Sequence, residues 1–438
     1  MSEVRTLRPA AVRRMGRTPP LAVQDVVDRA APQRRLDLWL LLAPLIGITL
    51  LAKLSVPPLG VRGIALGVGL PLAVGGLGLL LDRMHLAPGR TAGLLAVCAL
   101  LFGGALLRAE PFSPMSLLLF SVLHLPYALV LRDDAALRER VQGLFVGVAV
   151  AVGLAGIAQI ALQLLFSPAV AFPIENWAPK GFVIDAFNQQ TPIDYGAELY
   201  RANGVVMLEP SFFSQLVAVA IVAELCGRNR RAVLALLALA LLLSYSGTGL
   251  LVLLLALPVL VIERARLGLL LAAALAVLVV VVGAEAMNFD LFAKRAAEFA
   301  DPGSSGFARF VGGFYLWDQF LWHEPLRALF GYGAGSFDRY EALAAYPVAQ
   351  MALTKMVFEF GVVGGLAYFG FIACCLASAP APLALRVAVF CTYLLNGLYG
   401  SFAHGLALSL LLWPAAVTPA PPRPRRLHRP AAALEVVR

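Results

Sequence analysis

The sequence predicts an all-α fold, a polytopic membrane protein of about 12 transmembrane helices with two long outer loops. Three observations carry that prediction. Of the 438 residues, 60% are hydrophobic and only 14% charged, with a mean hydropathy of +0.81, so the chain is far more apolar than a soluble domain of its length. Apolar runs recur at close to the roughly 20 residues that a helix needs to cross a bilayer. The arginines gather in short segments between alternate runs, which is the positive-inside pattern. The formal charge of +9 is thus a membrane signature and no nucleic-acid footprint.

The predicted spans are Leu36–Leu54, Leu59–Leu81, Thr91–Leu107, Met115–Leu131, Val141–Phe166 and Gly204–Cys226. Six more follow at Ala232–Ser244, Gly247–Ile262, Leu267–Gly283, Gln350–Leu376, Leu383–Tyr399 and Phe402–Val417. An even number of spans puts both termini on one side. Arg83 to Arg90, Arg132 to Arg140, Arg228 to Arg231 and Arg264 to Arg266 then all fall on that side, and the rule makes it the cytoplasm. Residues 1–35 and 419–438 read as basic cytoplasmic tails that touch anionic lipid, flanking one transmembrane domain at 36–418. The five cysteines lie in or beside apolar runs without metal-ligand spacing, so neither a disulfide framework nor a zinc site is expected.

Two outer loops are long, 167–203 and 284–349. Both are rich in Trp, Phe, Tyr and Gly, which argues for function over disorder. At the end of the first, Asn203-Gly204 reads as a helix N-cap, with Arg201 beside the positive end of the helix dipole, a ready anion site. The plainer reading pairs Arg201 with Glu209 or Glu198. Pro210 either kinks this helix or restarts it. Glu209 is then either a desolvated general base or a counter-ion.

In the second loop, Asp301 to Gly306 would cap a helix over Phe307–Trp322, with Phe310, Phe314, Trp317 and Leu321 on one interfacial face. Arg309 would sit in its first turn and supply a second cation at a helix N-terminus. His323 is either a second candidate base or a polar interface residue. Gly331-Tyr332-Gly333-Ala334-Gly335 has no preceding strand, so it reads as a tight turn with close backbone approach and not as a dinucleotide site. The hydroxyls of Ser244-Tyr245-Ser246-Gly247-Thr248 form a polar turn at the same outer face.

These residues resemble the bacterial polysaccharide polymerases and O-antigen ligases that act on lipid-linked glycans. The resemblance spans roughly Arg201 to Phe371. It rests on Arg201-x-x-Gly204 leading into Glu209-Pro210-Ser211, the turn at Ser244 to Gly249, Arg309, the glycine turn at Gly331 to Phe337, and Phe358-Glu359-Phe360-Gly361-x-x-Gly364. It implies a metal-independent and cofactor-free transfer of an undecaprenyl-pyrophosphate-linked glycan to a sugar hydroxyl at the periplasmic face of the inner membrane. Donor and acceptor would both be lipid-linked oligosaccharides, with a flippase and a chain-length regulator as further partners. Arg201 and Arg309 would hold the pyrophosphate, Glu209 or His323 would act as base, and Ser211, Ser246, Tyr332, Gly333 and Gly335 would line the substrate path. Where ligases carry a His-Asn pair this chain has Tyr346-Pro347 and Gln350, which favours a polymerase over a ligase. A transporter of the same lipid is the rival from another class, but it would carry its charges at mid-membrane.

Overall fold

A computed structural model describes residues 21–55, 67–107, 112–131, 135–179, 182–184, 190–193, 197–264 and 298–414. The expected span Leu267–Gly283 and both ends of the chain, 1–20 and 415–438, lie outside the described residues. The described part is 71% helix and 4% strand, so the helical class holds with a small β addition.

The first part of the chain forms α1 (Leu21–Ile48), α2 (Leu70–Leu80), α3 (Pro88–Leu106), α4 (Pro114–His124) and α5 (Ala135–Leu165). Short α6 (Pro168–Ala171) and α7 (Pro173–Trp177) follow, then α8 (Pro210–Cys226), α9 (Arg231–Leu243) and α10 (Gly247–Arg264). The second loop carries α11 (Ser305–Phe310), α12 (Gly312–Leu316), α13 (Pro325–Phe330) and α14 (Phe337–Glu341). The chain closes with α15 (Ala352–Ala377), α16 (Leu383–Leu395) and α17 (Ser401–Ala407), the last continuing into a π-helical turn at Leu408–Leu412.

Four of these helices are long and apolar enough to cross a membrane, namely α3, α5, α10 and α15, and six shorter apolar ones stand among them. Among the described residues, then, four helices meet the length and hydropathy expected of the dozen spans. The span expected at Met115–Leu131 stops at His124, because Pro126 cannot continue an α-helix. It passes through a 3-10 turn into a strand, Leu129–Leu131, paired antiparallel with Met84–Leu86.

Helix α8 is the centre of the bundle. Every residue from Pro210 to Cys226 except Phe212 is buried, and α5, α9, α10 and α16 surround it. A helix that is apolar all round belongs in a core. At 17 residues it is about 26 Å long, short of the hydrocarbon thickness, and needs no more length because its ends meet protein.

The two ends of the bundle differ in chemistry. At one end the basic loops tie helices together: Arg83 makes a bidentate pair with Asp37 at 2.8 and 2.5 Å, and Arg90 donates to the Leu412 carbonyl at 2.7 Å. Arg264 caps the Cys226 carbonyl there. At the other end lie the two long loops and the site.

The expected interfacial helix Phe307–Trp322 is broken into α11, α12 and a π-helical segment, Trp317–Leu321. Gly312 and Gly313 make the break. They let the backbone approach Pro347 and Thr354 so closely that a Cβ would lie 2.3 and 2.0 Å from them. The break also rotates the apolar face. Trp317 and Leu321 are buried as expected, but Phe314 is exposed and Phe307 and Leu316 take the inner positions.

Candidate active site

The helix that carries Glu209 does not begin at Gly204. It begins at Pro210, with Glu209 as the extended residue before the first turn, φ −142° and ψ 163°. Proline fits a first helical position because it has no N–H to lose. Gly204 and Val205 instead form a left-handed turn, both with φ of 66°, and a Cβ on Gly204 would meet Val152 at 2.6 Å. Asn203 accordingly serves this turn and caps no helix: its Oδ1 accepts from Val205 N at 3.0 Å.

The segment that presents Arg201 is held by α5. Gln163 exchanges two hydrogen bonds with the Tyr200 backbone at 3.0 and 2.7 Å, and Gln159 bonds both the backbone and the side chain of Asn203 at 3.0 and 2.9 Å. Spaced at i and i+4, these amides share one helix face. Lys53, buried just beyond α1, donates to the Val205 carbonyl and to Glu175, which also accepts from Asn203 at 3.0 Å. The turn before Glu209 is therefore clamped from two sides.

Glu209 is buried and pairs with Arg309, Nη2 to Oε2 at 2.5 Å, across a sequence separation of 100. Ser211 donates to the same carboxylate oxygen at 2.9 Å. Arg201 pairs with neither Glu209 nor Glu198 among the described residues. Its Nη2 reaches the Ile193 carbonyl at 3.4 Å, and its Nε is buried without a hydrogen-bond partner. Ser304 caps α11, accepting from Phe307 N at 3.0 Å. That helix has six residues and carries Arg309 near its end, so the second helix-terminus expectation is corrected: Arg309 acts from the far side of α11.

Two cavities meet at this ion pair. The smaller, of about 370 Å³, is lined by Arg201, Arg309, Glu209, Ser211, Ser246 and Thr248, with Phe299 and Phe310 opposite. The N-termini of α8 and α10 both open on it, each adding partial positive charge. The hydroxyls form a chain: Ser246 to Thr248 at 3.0 Å, Thr248 to Ser214 at 3.0 Å, and Thr248 to the Ser211 carbonyl at 3.1 Å.

The larger cavity, of about 540 Å³, shares Glu209, Ser211 and Arg309 as a wall and extends to Gln350, Lys355, Asn396 and Tyr399. Lys355 lies within 3.2 Å of both Asp338 Oδ1 and Gln350 Oε1, and 3.7 Å from Glu359. Gln350 also donates to Glu341 at 3.0 Å. Burial raises the Glu341 carboxyl above the ordinary value, against the lowering effect of that bond.

Other expected site residues fall elsewhere. His323 is exposed in the turn after the π-helical segment and lines neither cavity. Tyr332, Gly333 and Gly335 also line neither. Their turn packs on a kink in α15 where Gly361 has φ 70°. The kink frees the Phe358 and Glu359 carbonyls, which accept instead from Tyr332 N and Gly333 N at 2.9 and 2.7 Å. That is the close backbone approach the glycines predicted. Lys53, Gln159, Lys355 and Asn396 escaped the sequence reading, although Lys53 and Lys355 are lone cations at the ends of apolar runs, a costly placement that usually signals a task.

No curated protein matches the chain, and no solved structure does. A family model, WcaD colanic acid polymerase, matches residues 41–390, a stretch that holds both cavities except the 395–402 rim of the larger one. The chain therefore belongs to the WcaD colanic acid polymerase family and is a membrane polymerase of exopolysaccharide repeat units.

Proposed function

We propose that this polymerase joins repeat units carried on undecaprenyl pyrophosphate at the periplasmic face of the bacterial inner membrane, with both termini cytoplasmic. A flippase would deliver the units and a chain-length regulator would act on the product. The observation that carries the reading is the Glu209–Arg309 pair standing as the common wall of two cavities, one of which also holds Arg201 with an unsatisfied Nε.

The smaller cavity suits the donor pyrophosphate. Arg201, Arg309 and the α8 N-terminus oppose its negative charge, which grows as the glycosyl–phosphate bond breaks. A sugar hydroxyl of the acceptor attacks the anomeric carbon. The bonding pair leaves with the pyrophosphate oxygen and the hydroxyl proton passes to Glu209. For this step Arg309 must turn from the carboxylate towards the phosphate, which frees Glu209 to accept the proton. Glu209 is thus the counter-ion of Arg309 in the resting state and the base in the reaction. His323, remote from both cavities, has no role in this scheme.

An Arg201→Ala chain at normal expression tests the clamp. The expected outcome is a loss of polymer with single repeat units left on the carrier. Full-length polymer would sink the clamp, and long chains stranded on the carrier lipid would identify a ligase instead.

A further inference from the structure

Four non-glycine residues among those described have a positive φ: Asp82, Val205, Asn229 and Tyr245. Asp82 and Asn229 stand in turns at the basic end, and their short polar side chains tolerate that conformation. Tyr245 and Val205 lie in the two segments that carry the site. Of the four, Val205 alone is β-branched, the type for which its φ of 66° is a true outlier. Val206 N donates to the Gly204 carbonyl at 2.8 Å, a bond between residues two apart that closes a γ-turn with Val205 at its centre. With a positive central φ this is the rare, strained form of the γ-turn. Such a conformation persists only where its surroundings hold it.

Buried polar groups do so here. The Val205 N–H donates to Asn203 Oδ1 at 3.0 Å, and the Val205 carbonyl accepts from Lys53 Nζ. Asn203 Nδ2 and Lys53 Nζ in turn both donate to one atom, Glu175 Oε1. The two peptide groups that flank the Val205 Cα are thus tied to a single carboxylate oxygen. The Lys53 and Glu175 side chains are 1% and 7% exposed, and a buried ion pair offers little net stability over apolar packing. Stability alone therefore does not account for a buried lysine that also grips a strained carbonyl. The same contacts reach the site: Ala52, next to Lys53, packs with Leu208, the residue before Glu209. Arg201 stands four residues before Val205 and Glu209 four after it, so the bend at Val205 sets how both face the smaller cavity.

Resting on the reading above, in which Arg201 and Glu209 act on the donor, we infer that Lys53 is a positioning residue of the polymerase: with Glu175 it holds a strained γ-turn at Val205 that aims Arg201 and Glu209 at one cavity. Lys53 lines neither cavity and acts only through the turn. Without it the turn relaxes and Glu209 leaves its place beside Arg309, and a misplacement of about 1 Å can cost about 100-fold in rate.

The experiment measures turnover per folded molecule in lipid nanodiscs at saturating donor, with lipid-linked repeat units extracted from cells that lack the polymerase. The paired variant Lys53→Met with Glu175→Gln removes the grip on the Val205 carbonyl without stranding a charge, and it leaves Asn203 an amide oxygen to bond. It is expected to melt close to the unmodified protein yet turn over about tenfold or more slowly. Val205→Gly, which allows a positive φ without strain, is expected to raise the melting temperature. Added to the paired variant, it is expected to restore part of the lost turnover, because the turn no longer has to be held. A purely structural role would leave the turnover of the paired variant's folded molecules unchanged. That result overturns the inference, as does a Val205→Gly chain that melts below the unmodified protein or returns no turnover to the paired variant. Arg201→Ala on the same preparations separates the two levels. If it polymerises at the full rate, the donor-clamp reading fails whatever the paired variant does; if it is inactive and the paired variant is unimpaired, only the positioning inference fails.

Discussion

Helix α8 carries a glutamate at each end, and both are buried against an arginine. Glu224 is 2% exposed and binds Arg230 by three hydrogen bonds, from the backbone N at 2.7 Å, from Nε at 3.0 Å and from Nη2 at 2.9 Å. Its partner is six residues away in the connecting loop, and the arginine is 43% exposed. Glu209 meets Arg309 from another loop at 2.5 Å, with 7% and 26% of the side chains exposed, and the same carboxylate oxygen accepts from Ser211 at 2.9 Å. The first pair is local and fully bonded, and it closes a turn. The second joins two distant loops and faces two cavities. A charge pair within one turn holds that turn, whereas one that bridges two loops beside two cavities is placed to exchange partners.

Breaking the two pairs should separate these roles. Arg309→Ala is expected to slow polymer formation by about 100-fold or more, as for a lost group that stabilises developing charge. Arg230→Ala should leave the rate of the folded enzyme near normal and lower its melting temperature. Polymer assays and thermal unfolding on the same preparations check both.

The outer clamp comes next in size. Lys53→Met strands a buried Glu175 carboxylate and should cost about 3 kcal/mol of stability. Adding Glu175→Gln should recover much of that loss, because a pair removed together leaves no uncompensated charge. Unfolding midpoints of the three chains measure the difference.

Gln159→Leu removes the amide that holds Asn203 and should cost about 1–3 kcal/mol. It should also lower turnover, since the Gly204 turn sets where Glu209 stands. The smallest effect is expected at Tyr127, whose hydroxyl meets Tyr393 and the His404 Nδ1 in the middle of the bundle. Tyr127→Phe should cost about 1 kcal/mol and leave polymer length unchanged, because this cluster reaches neither arginine.

The unequal legibility of the two ends of α8 has physical causes. The helical class, most helix positions and the basic end follow from hydropathy and arginine placement, which are local properties of the chain. Glu209-Pro210 marked the helix start once proline's preference for the first turn was given full weight over an Asn-Gly cap. Arg309 as the partner of Glu209 was not legible, because it depends on how two loops separated by 100 residues fold over the bundle. The broken interfacial helix was hidden for a similar reason: Gly312 and Gly313 respond to Pro347 and Thr354, contacts that no periodicity records. The glycine turn was read correctly as close backbone approach, while its partner, the kink at Gly361, needed the structure.

The direct test of the central claim is the lipid-linked glycan profile of cells whose polymerase carries Glu209→Gln, compared with Glu224→Gln at matched expression. Glu209→Gln is expected to leave single repeat units on the carrier, while Glu224→Gln still makes long polymer from whatever fraction folds. Long polymer from the Glu209→Gln chain would contradict it.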